Sequence, residues 1–416
     1  MELIQAPRFT KYIFSKNSYD TMSNASVRHG IGFMEVCCKV IFFIILLIVF
    51  LIIGICEQVY FYRKILSAFR FFCGNLSNRI IYFLTVGLFI LTFLPAYFAF
   101  VYWFIIELHI AFFLLLGDLA AAIAKKVGEK NSICYPKWLK IVYKTGAAAF
   151  LLTFIIACYG KFNMYRIVRT DYDISINKPL SHEYTVALVA DLHYGISLDS
   201  QQLQAVADSI EETSPDFVIL CGDIVDESTT PDGINEAFSI LGGIDSKLGV
   251  YYIYGNHDKS RYRSSDNSTD KLLINAINDN RINLLEDHAV LLNDEMIFAG
   301  RKDKMERTEG GMSINQILAG ADKTKVIVVA DHQPNDYEAL RNAGCDLVVS
   351  GHTHGGQIFP FGFFGELFNA NDMTYGYKKQ GNLNEIVTSG IAGWGFDMRT
   401  ERHSEYVIIH IKGKGE

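Results

Sequence analysis

From Ile80 to Ile106 the chain carries no charged side chain, although Arg79 and Glu107 bound the stretch. A helix facing water needs a polar face, and this stretch offers none. Residues 40–55, "VIFFIILLIVFLIIGI", form a second uncharged run, and 146–160, "GAAAFLLTFIIACYG", a shorter third. A helix of about 20 apolar residues crosses a hydrocarbon core. Extended to Tyr60, the 40–55 run makes one span. The stretch from Ile80 onward is too long for one, and Pro95 marks a tight connection that divides it into 80–97 and 99–122. With 146–160 this predicts about four spans and a multi-pass membrane protein. Buried helices of a soluble fold do not need three uncharged runs of this length.

Loop charges set the expected orientation. Arg63, Lys64, Arg70 and Arg79 crowd the first loop, and Lys125, Lys126, Lys130, Lys137, Lys140 and Lys144 crowd the third. With four spans both loops share a side, and basic loops stay cytoplasmic. Residues after the last span are then expected on the extracytoplasmic side. Arg8, Lys11, Lys16 and Arg28 oppose this orientation, and a re-entrant 146–160 run would reverse it. The first run starts too late and runs too long for a cleaved secretion signal, and Glu57-Gln58-Val59 lacks small cleavage-site residues. The expected divisions are an N-terminal tail (1–35), a transmembrane helical domain (36–160), a connector with a first strand (161–183) and a soluble domain (184–416).

The soluble domain repeats one pattern. Short apolar runs end in polar, glycine-containing turns: "TVALVA" (185–190), "DFVILC" (216–221), "GVYYIY" (249–254), "KVIVVA" (325–330) and "DLVVSG" (346–351). Continuous Val/Ile runs predict strands buried on both faces. A helix is expected from near Asp199, with Leu203, Val206 and Ile210 on one face and Ser214-Pro215 ending it. Others are expected over 270–280 and from near Asn335, where Tyr337 and Leu340 precede Gly344. "YRIVRTDYDISI" alternates as a strand, and "EIVTSG" and "SEYVIIHI" read as antiparallel. The alternation predicts an α/β layered domain. A net charge of −7 argues against a nucleic-acid partner. The cysteines show no paired metal-binding spacing; Cys221 and Cys345 flank apolar runs and read as small core residues.

Each apolar run ends in residues able to bind a metal or move a proton. Asp191-Leu192-His193 stands behind the first, Gly222-Asp223-Ile224-Val225-Asp226 behind the second, and Gly255-Asn256-His257-Asp258 behind the third. Asp331-His332 stands behind the fourth, and Gly351-His352-Thr353-His354 closes the fifth. Open α/β sheets bind ligands beyond the carboxyl ends of their strands. On extended backbone, side chains two apart point the same way, so Asp191 with His193, and His352 with His354, each present a pair to one point. One such loop is weak evidence. Five in succession point to a metal site.

This set resembles the calcineurin-like metallophosphoesterase superfamily, over roughly residues 184–412. With apolar spans in front, the chain resembles the membrane-anchored subgroup. The resemblance implies a double-sheet sandwich flanked by helices and a centre of two divalent metal ions (Mn, Zn or Fe). It implies that Asp191, His193 and His354 hold the first metal, that Asn256, His332 and His352 hold the second, and that Asp223 bridges them. A bridging hydroxide would attack phosphorus in a phosphodiester or pyrophosphate. It further implies a catalytic role for His257 near the leaving-group oxygen, with Asp226 orienting its ring. Gly355-Gly356-Gln357 and "SGIAGWGFDMR" (389–399) are expected to border the substrate, with Arg399 either structural or touching phosphate. Over 358–377, Phe359, Phe361, Phe363, Phe364, Phe368, Tyr375 and Tyr377 read either as local core or as an apolar lip beside the site, against the membrane or a lipid tail.

The leading expectation is a membrane-tethered phosphohydrolase whose partners are the lipid bilayer and a phosphoester or pyrophosphate substrate, either lipid-linked, by analogy with UDP-diacylglucosamine-type molecules, or nucleotide-linked. A non-catalytic membrane receptor or sensor on the same fold is the alternative, although every motif position here is filled. A transporter is a third reading, with Glu107, His109 and Asp118 as the only evident ionisable residues of the spans.

Overall fold

The computed structural model describes residues 52, 54–92, 100–131, 136–259, 268–308, 310–368 and 370–414. They form two compact units. One takes the described residues up to Phe100 with Ala111–Ala148, and the other takes Val101–Ile110 with the described residues from Ala149 onward.

Among the described residues, two helices are long and apolar enough to cross a membrane, Tyr102–Gly128 and Ala147–Tyr165. Helix Asn78–Leu91 is apolar but has 14 residues. Most of the expected first span, the N-terminal tail and the Pro95 turn lie outside the described residues. The count of about four spans is therefore not reached among them. The last apolar helix is longer than expected, running 19 residues to Tyr165. The expected run stops at Gly160, but Asn163 is buried and donates its amide to the carbonyls of Arg399 and Arg402, so the helix continues past Lys161. In the first unit, Asp118 accepts from Tyr60 Oη at 2.8 Å and Tyr143 Oη at 2.7 Å and pairs with Lys64. This carboxylate is pinned locally, as burial of a charge requires.

The second unit holds two six-stranded sheets. The first has the order β1 (Ile167–Ser175), β12 (Ser404–Lys412), β2 (Tyr184–Val189), β3 (Phe217–Cys221), β4 (Val250–Ile253), β5 (Asn283–Leu284). The second has the order β10 (Gly376–Gln380), β11 (Leu383–Val387), β9 (Leu347–Ser350), β8 (Val326–Ala330), β7 (Met296–Gly300), β6 (His288–Leu291). Strands β2 to β5 are mutually parallel, as are β7, β8, β9 and β11. The antiparallel expectation for the last strands holds in part: β12 is antiparallel to β2 but parallel to β1. Strand β1 falls within the expected connector, yet it is an edge strand of the first sheet.

The apolar runs are buried on both faces, as their composition requires. Leu188, Phe217, Ile219, Phe298, Val328 and Val349 form one cluster of the core. The alternate residues Ala187, Val189, Val218 and Leu220 belong to a second cluster with residues of helices Ser200–Glu211, Pro231–Gly242 and Ser268–Asp279. Each fully buried Val, Leu or Ile contributes about 1.5–3 kcal/mol. Helix Ser200–Glu211 begins at Asp199, whose carboxylate accepts from Gln202 N in a capping box. Helix Pro231–Gly242 was not among the expected helices; Thr230 caps it and Pro231 opens it, a start signal the sequence does contain.

Candidate metal centre

Strands β2, β3, β4, β8 and β9 run parallel within their sheets, so the loops after them leave at the carboxyl ends. Two sets of ligand atoms gather from these loops. Asp191, His193 and His354 each present one within 4.8 Å of the others, and so do Asp223, His332 and His352. Asp223 Oδ2 lies 3.1 Å from His332 Nε2 and 3.8 Å from His193 Nε2, so it faces both sets.

The backbone reaches this arrangement by a route the strand pleat does not offer. Asp191, His193, Asp223, His352 and His354 all have positive φ, at 53°, 39°, 52°, 71° and 49°. Left-handed backbone is uncommon outside glycine, and its concentration here marks strain held by the surrounding fold. The expectation that pleat alternation pairs these side chains is therefore corrected. Asp191 and His193 do meet, but His352 and His354 diverge into different sets because the chain between them is not extended. Gly255 lets two loops touch: a Cβ there would collide with the Asp223 carboxylate. A Cβ at Gly351 would strike Asp191.

Hydrogen bonds orient the rings. His332 Nδ1 lies 2.8 Å from Cys221 O, and His354 Nδ1 lies 3.1 Å from Ala392 O. A carbonyl can only accept, so each Nδ1 carries a proton, and in the neutral ring Nε2 keeps its lone pair. His193 Nδ1 lies 3.4 Å from Asp226 Oδ2. The Nε2 atoms of His193 and His332 and Oδ1 of Asn256 are buried without a hydrogen-bond partner. Buried polar atoms of this kind are rare unless something satisfies them. Imidazole nitrogens and carboxylate or amide oxygens, with no thiolate, form a donor set that suits a divalent transition metal.

Electrostatics divide the rings into two kinds. Burial pushes the Asp191 carboxyl up to about 6. The same burial opposes ionisation of Asp223, but the His332 and His193 imidazoles outweigh it and hold that carboxyl below the usual range. Burial lowers His354 far below an ordinary imidazole and, helped by charge on His332, takes His352 down to about 4. Burial also opposes charge on His193 and His332, but the facing carboxylates outweigh it and raise both, His332 far above an ordinary imidazole. The neutral imidazole is the ligating form, so a cation there would displace that proton.

One expected role changes. His257 Nδ1 bonds Glu227 Oε1 at 2.7 Å, whereas Asp226 faces His193 and accepts from Ser228 N and Oγ. The residue orienting His257 is therefore Glu227, because the turn after Asp226 sends that side chain inward. His257 N also donates to Asp223 Oδ1 at 2.8 Å. Arg399 is structural. It is buried, and its guanidinium donates to the carbonyls of His354, Ser389, Ala392 and His403.

Several contributors are not evident from sequence. The Asp258 carboxylate accepts from the N–H groups of Asp223, Ile224, Val225 and Gly255, at 2.6–3.1 Å. Trp394, 47% exposed, lies over His257 with ring centroids 5.1 Å apart. Gln357 holds the Trp394 loop, accepting from Trp394 N and donating to the carbonyls of Trp394, Phe396 and Met398. The Gly-Asn-His-Asp run was a usable signal for Asp258. Nothing local in the sequence pairs Trp394 with His257.

Residues 184–356 match the family model of the calcineurin-like phosphoesterases. The chain is 27% identical over 396 residues to an uncharacterized metallophosphoesterase of Campylobacter jejuni, covering 90% of this chain and 100% of that one. It is 28% identical over 283 residues to a Danio rerio protein named transmembrane protein with metallophosphoesterase domain. That match takes in 65% of this chain and 63% of the fish protein, less than two thirds of its length. At 21% identity over 256 residues, 51% of this chain and 75% of the other, it is similar to UDP-2,3-diacylglucosamine pyrophosphatase LpxG of Chlamydia muridarum.

Proposed function

We propose, from the premise that this chain carries a calcineurin-like phosphoesterase domain, that it is a membrane-tethered hydrolase of phosphodiester or pyrophosphate bonds using two divalent metal ions. One observation carries the reading: two sets of ligand atoms, on residues all buried except the half-exposed His352, flank a single carboxylate oxygen, Asp223 Oδ2. Asp191, His193 and His354 are assigned to one cation, Asn256, His332 and His352 to the other, and Asp223 to both. When bound, two such ions (Mn, Zn or Fe) neutralise phosphoryl oxygens and acidify water.

The chain's own residues do the rest. The Asp258 carboxylate gathers four N–H groups and so fixes the loop that carries Asp223. Glu227 accepts the His257 Nδ1 proton, so proton exchange with a leaving-group oxygen falls to Nε2. Trp394 covers one face of that imidazole and limits water there. Asp226 backs His193 and favours the ligating tautomer.

Two lines support the membrane part. The helices Tyr102–Gly128 and Ala147–Tyr165 have the length and composition of spans. The helix between them, Lys137–Thr145, carries Lys137, Lys140 and Lys144. Basic loops stay cytoplasmic, which puts the phosphoesterase domain on the opposite side. A lipid-linked pyrophosphate is the narrower substrate reading, supported distantly by the likeness to LpxG.

The test is hydrolysis by the purified full chain of bis-p-nitrophenyl phosphate beside p-nitrophenyl phosphate, with Mn²⁺, Zn²⁺ or chelator. Diester turnover that needs added metal is expected. No turnover with any metal would favour the receptor reading instead.

A further inference from the structure

The two candidate spans end at one residue. Tyr102, in the first turn of the helix Phe100–Asn131, and Tyr165, the last residue of the other, both donate a hydroxyl proton to the Asp397 carboxylate, and Lys161 pairs with it. A helix of 19 residues is about 28 Å long, which matches a hydrocarbon core, so its last turn sits at the lipid–water boundary. Asp397 therefore marks that boundary, with tyrosines at the depth where membrane proteins place them.

The loop around Asp397 is fixed on both sides. Toward the helix, Arg399 N donates to Gly160 O at 2.9 Å, and Asn163 Nδ2 to the carbonyls of Arg399 and Arg402. Toward the site, Thr400 N donates to Gln357 O at 2.8 Å, and Phe359 N to Thr400 Oγ1 at 3.0 Å. Gly362 N donates to Glu401 Oε2 at 3.0 Å. Ile358 clusters with Ile105 and Met398, with Ala157 and Phe396 packed against them. The segment after Ile358 is thus held at the level of the helix ends.

That segment shows its aromatic rings to the outside. Phe359, Phe361, Phe363, Phe364, Leu367 and Phe368 are exposed, Phe363 at 63% and Phe368 at 71%. No charge falls between Ile358 and Gly365. A contiguous apolar surface of this kind marks an interaction site, and its depth beside two candidate spans selects the occupant. We infer that residues 359–368 seat in the interfacial layer of the bilayer, so that the mouth beside Trp394 and His257 opens on the membrane surface. This rests on the reading of Ala147–Tyr165 as a span.

The test uses the full chain in palmitoyl-oleoyl-phosphatidylcholine vesicles, with and without doxyl-labelled phosphatidylcholine. A fluorescent amino acid is placed in turn at Phe363, at Phe154 within the helix, and at Leu291, exposed on β6 at the far edge of the second sheet. The same probe at Phe368 repeats the reading should substitution at Phe363 disturb folding. Loss of fluorescence at 154 and at 363 or 368, with none at 291, is the expected result. Quenching at 154 without quenching at 363 and 368 overturns the inference and leaves the span intact. Absence of quenching at 154 removes the span and the inference together.

Discussion

The two ligand sets differ in depth. Asp191, His193 and His354 are all buried, in contact with the core of the sandwich. In the other set Asp223 and His332 are buried but His352 is half-exposed, as is Asn256, which is proposed to join it. The inner set is part of the fold, and the outer set is its rim. A shared carboxylate couples a seat that stability maintains to one that solvent reaches, and that asymmetry can be tested.

Asp223→Asn attacks both sets at once and has the largest expected effect. Diester turnover falls to the assay background, and metal analysis shows loss of both ions. Retention of one full equivalent would mean the sets are independent.

His354→Ala and His352→Ala separate them. Each removes one Nε2, but His354 also occupies buried space and bonds Ala392 O. Its loss is expected to cost about 2–4 kcal/mol in unfolding free energy. The half-exposed His352 should cost less than about 1 kcal/mol. Thermal unfolding of the metal-free proteins reads the difference; equal losses would break the contrast between core and rim.

His257→Ala should leave both ions in place and lower kcat by about 10²–10⁴-fold. Glu227→Gln removes only the group that orients the ring, and a fall of about 10–100-fold is expected. An Asp226→Asn variant with the larger kcat defect at full metal content would restore Asp226 as the orienting residue.

The smallest effect concerns the scaffold under the inner set. Ala392 N donates to Asp191 O, and the turn before it is held by Glu405 Oε1, which accepts from Ser389 N and Thr388 Oγ1. Burial pushes Glu405 up, but bonds from His403, Thr170, Ser389 and Thr388 outweigh it and hold the carboxyl below the glutamate range. The folded value is thus below the unfolded one. The resulting stabilisation is complete above the unfolded value and is lost as pH falls through the folded one. Glu405→Gln should flatten that acid slope in pH-dependent unfolding; an unchanged slope would exclude the carboxylate as its source.

Much of the site was legible because its residues stand at the ends of apolar runs. Five strands were visible as Val/Ile stretches, and Asp191, His193, Asp223, Asn256, His332, His352 and His354 lie directly behind them. The grouping followed from the family resemblance and not from the spacing of the residues. Neighbours His352 and His354 part company because left-handed backbone intervenes, and sequence spacing assumes an extended chain. Glu227 was missed in favour of the adjacent Asp226, since which of two neighbouring carboxylates faces a ring depends on the turn at Ser228 and Thr229. Gln357 and the 389–399 segment were singled out, but the Trp394 contacts to His257 and Gln357 were not foreseen because the partners come from loops distant in the chain. The last apolar run was bounded at Gly160 because it was read by hydropathy alone, whereas the helix runs on to Tyr165 with the Lys161 charge paired with Asp397.

Anomalous diffraction from crystals of the full chain grown with Mn²⁺ tests the central claim most directly. Two peaks are predicted, one bounded by Asp191, His193 and His354, the other by Asn256, His332 and His352, with Asp223 Oδ2 between them. A single peak, or two peaks that do not share Asp223, would contradict the account.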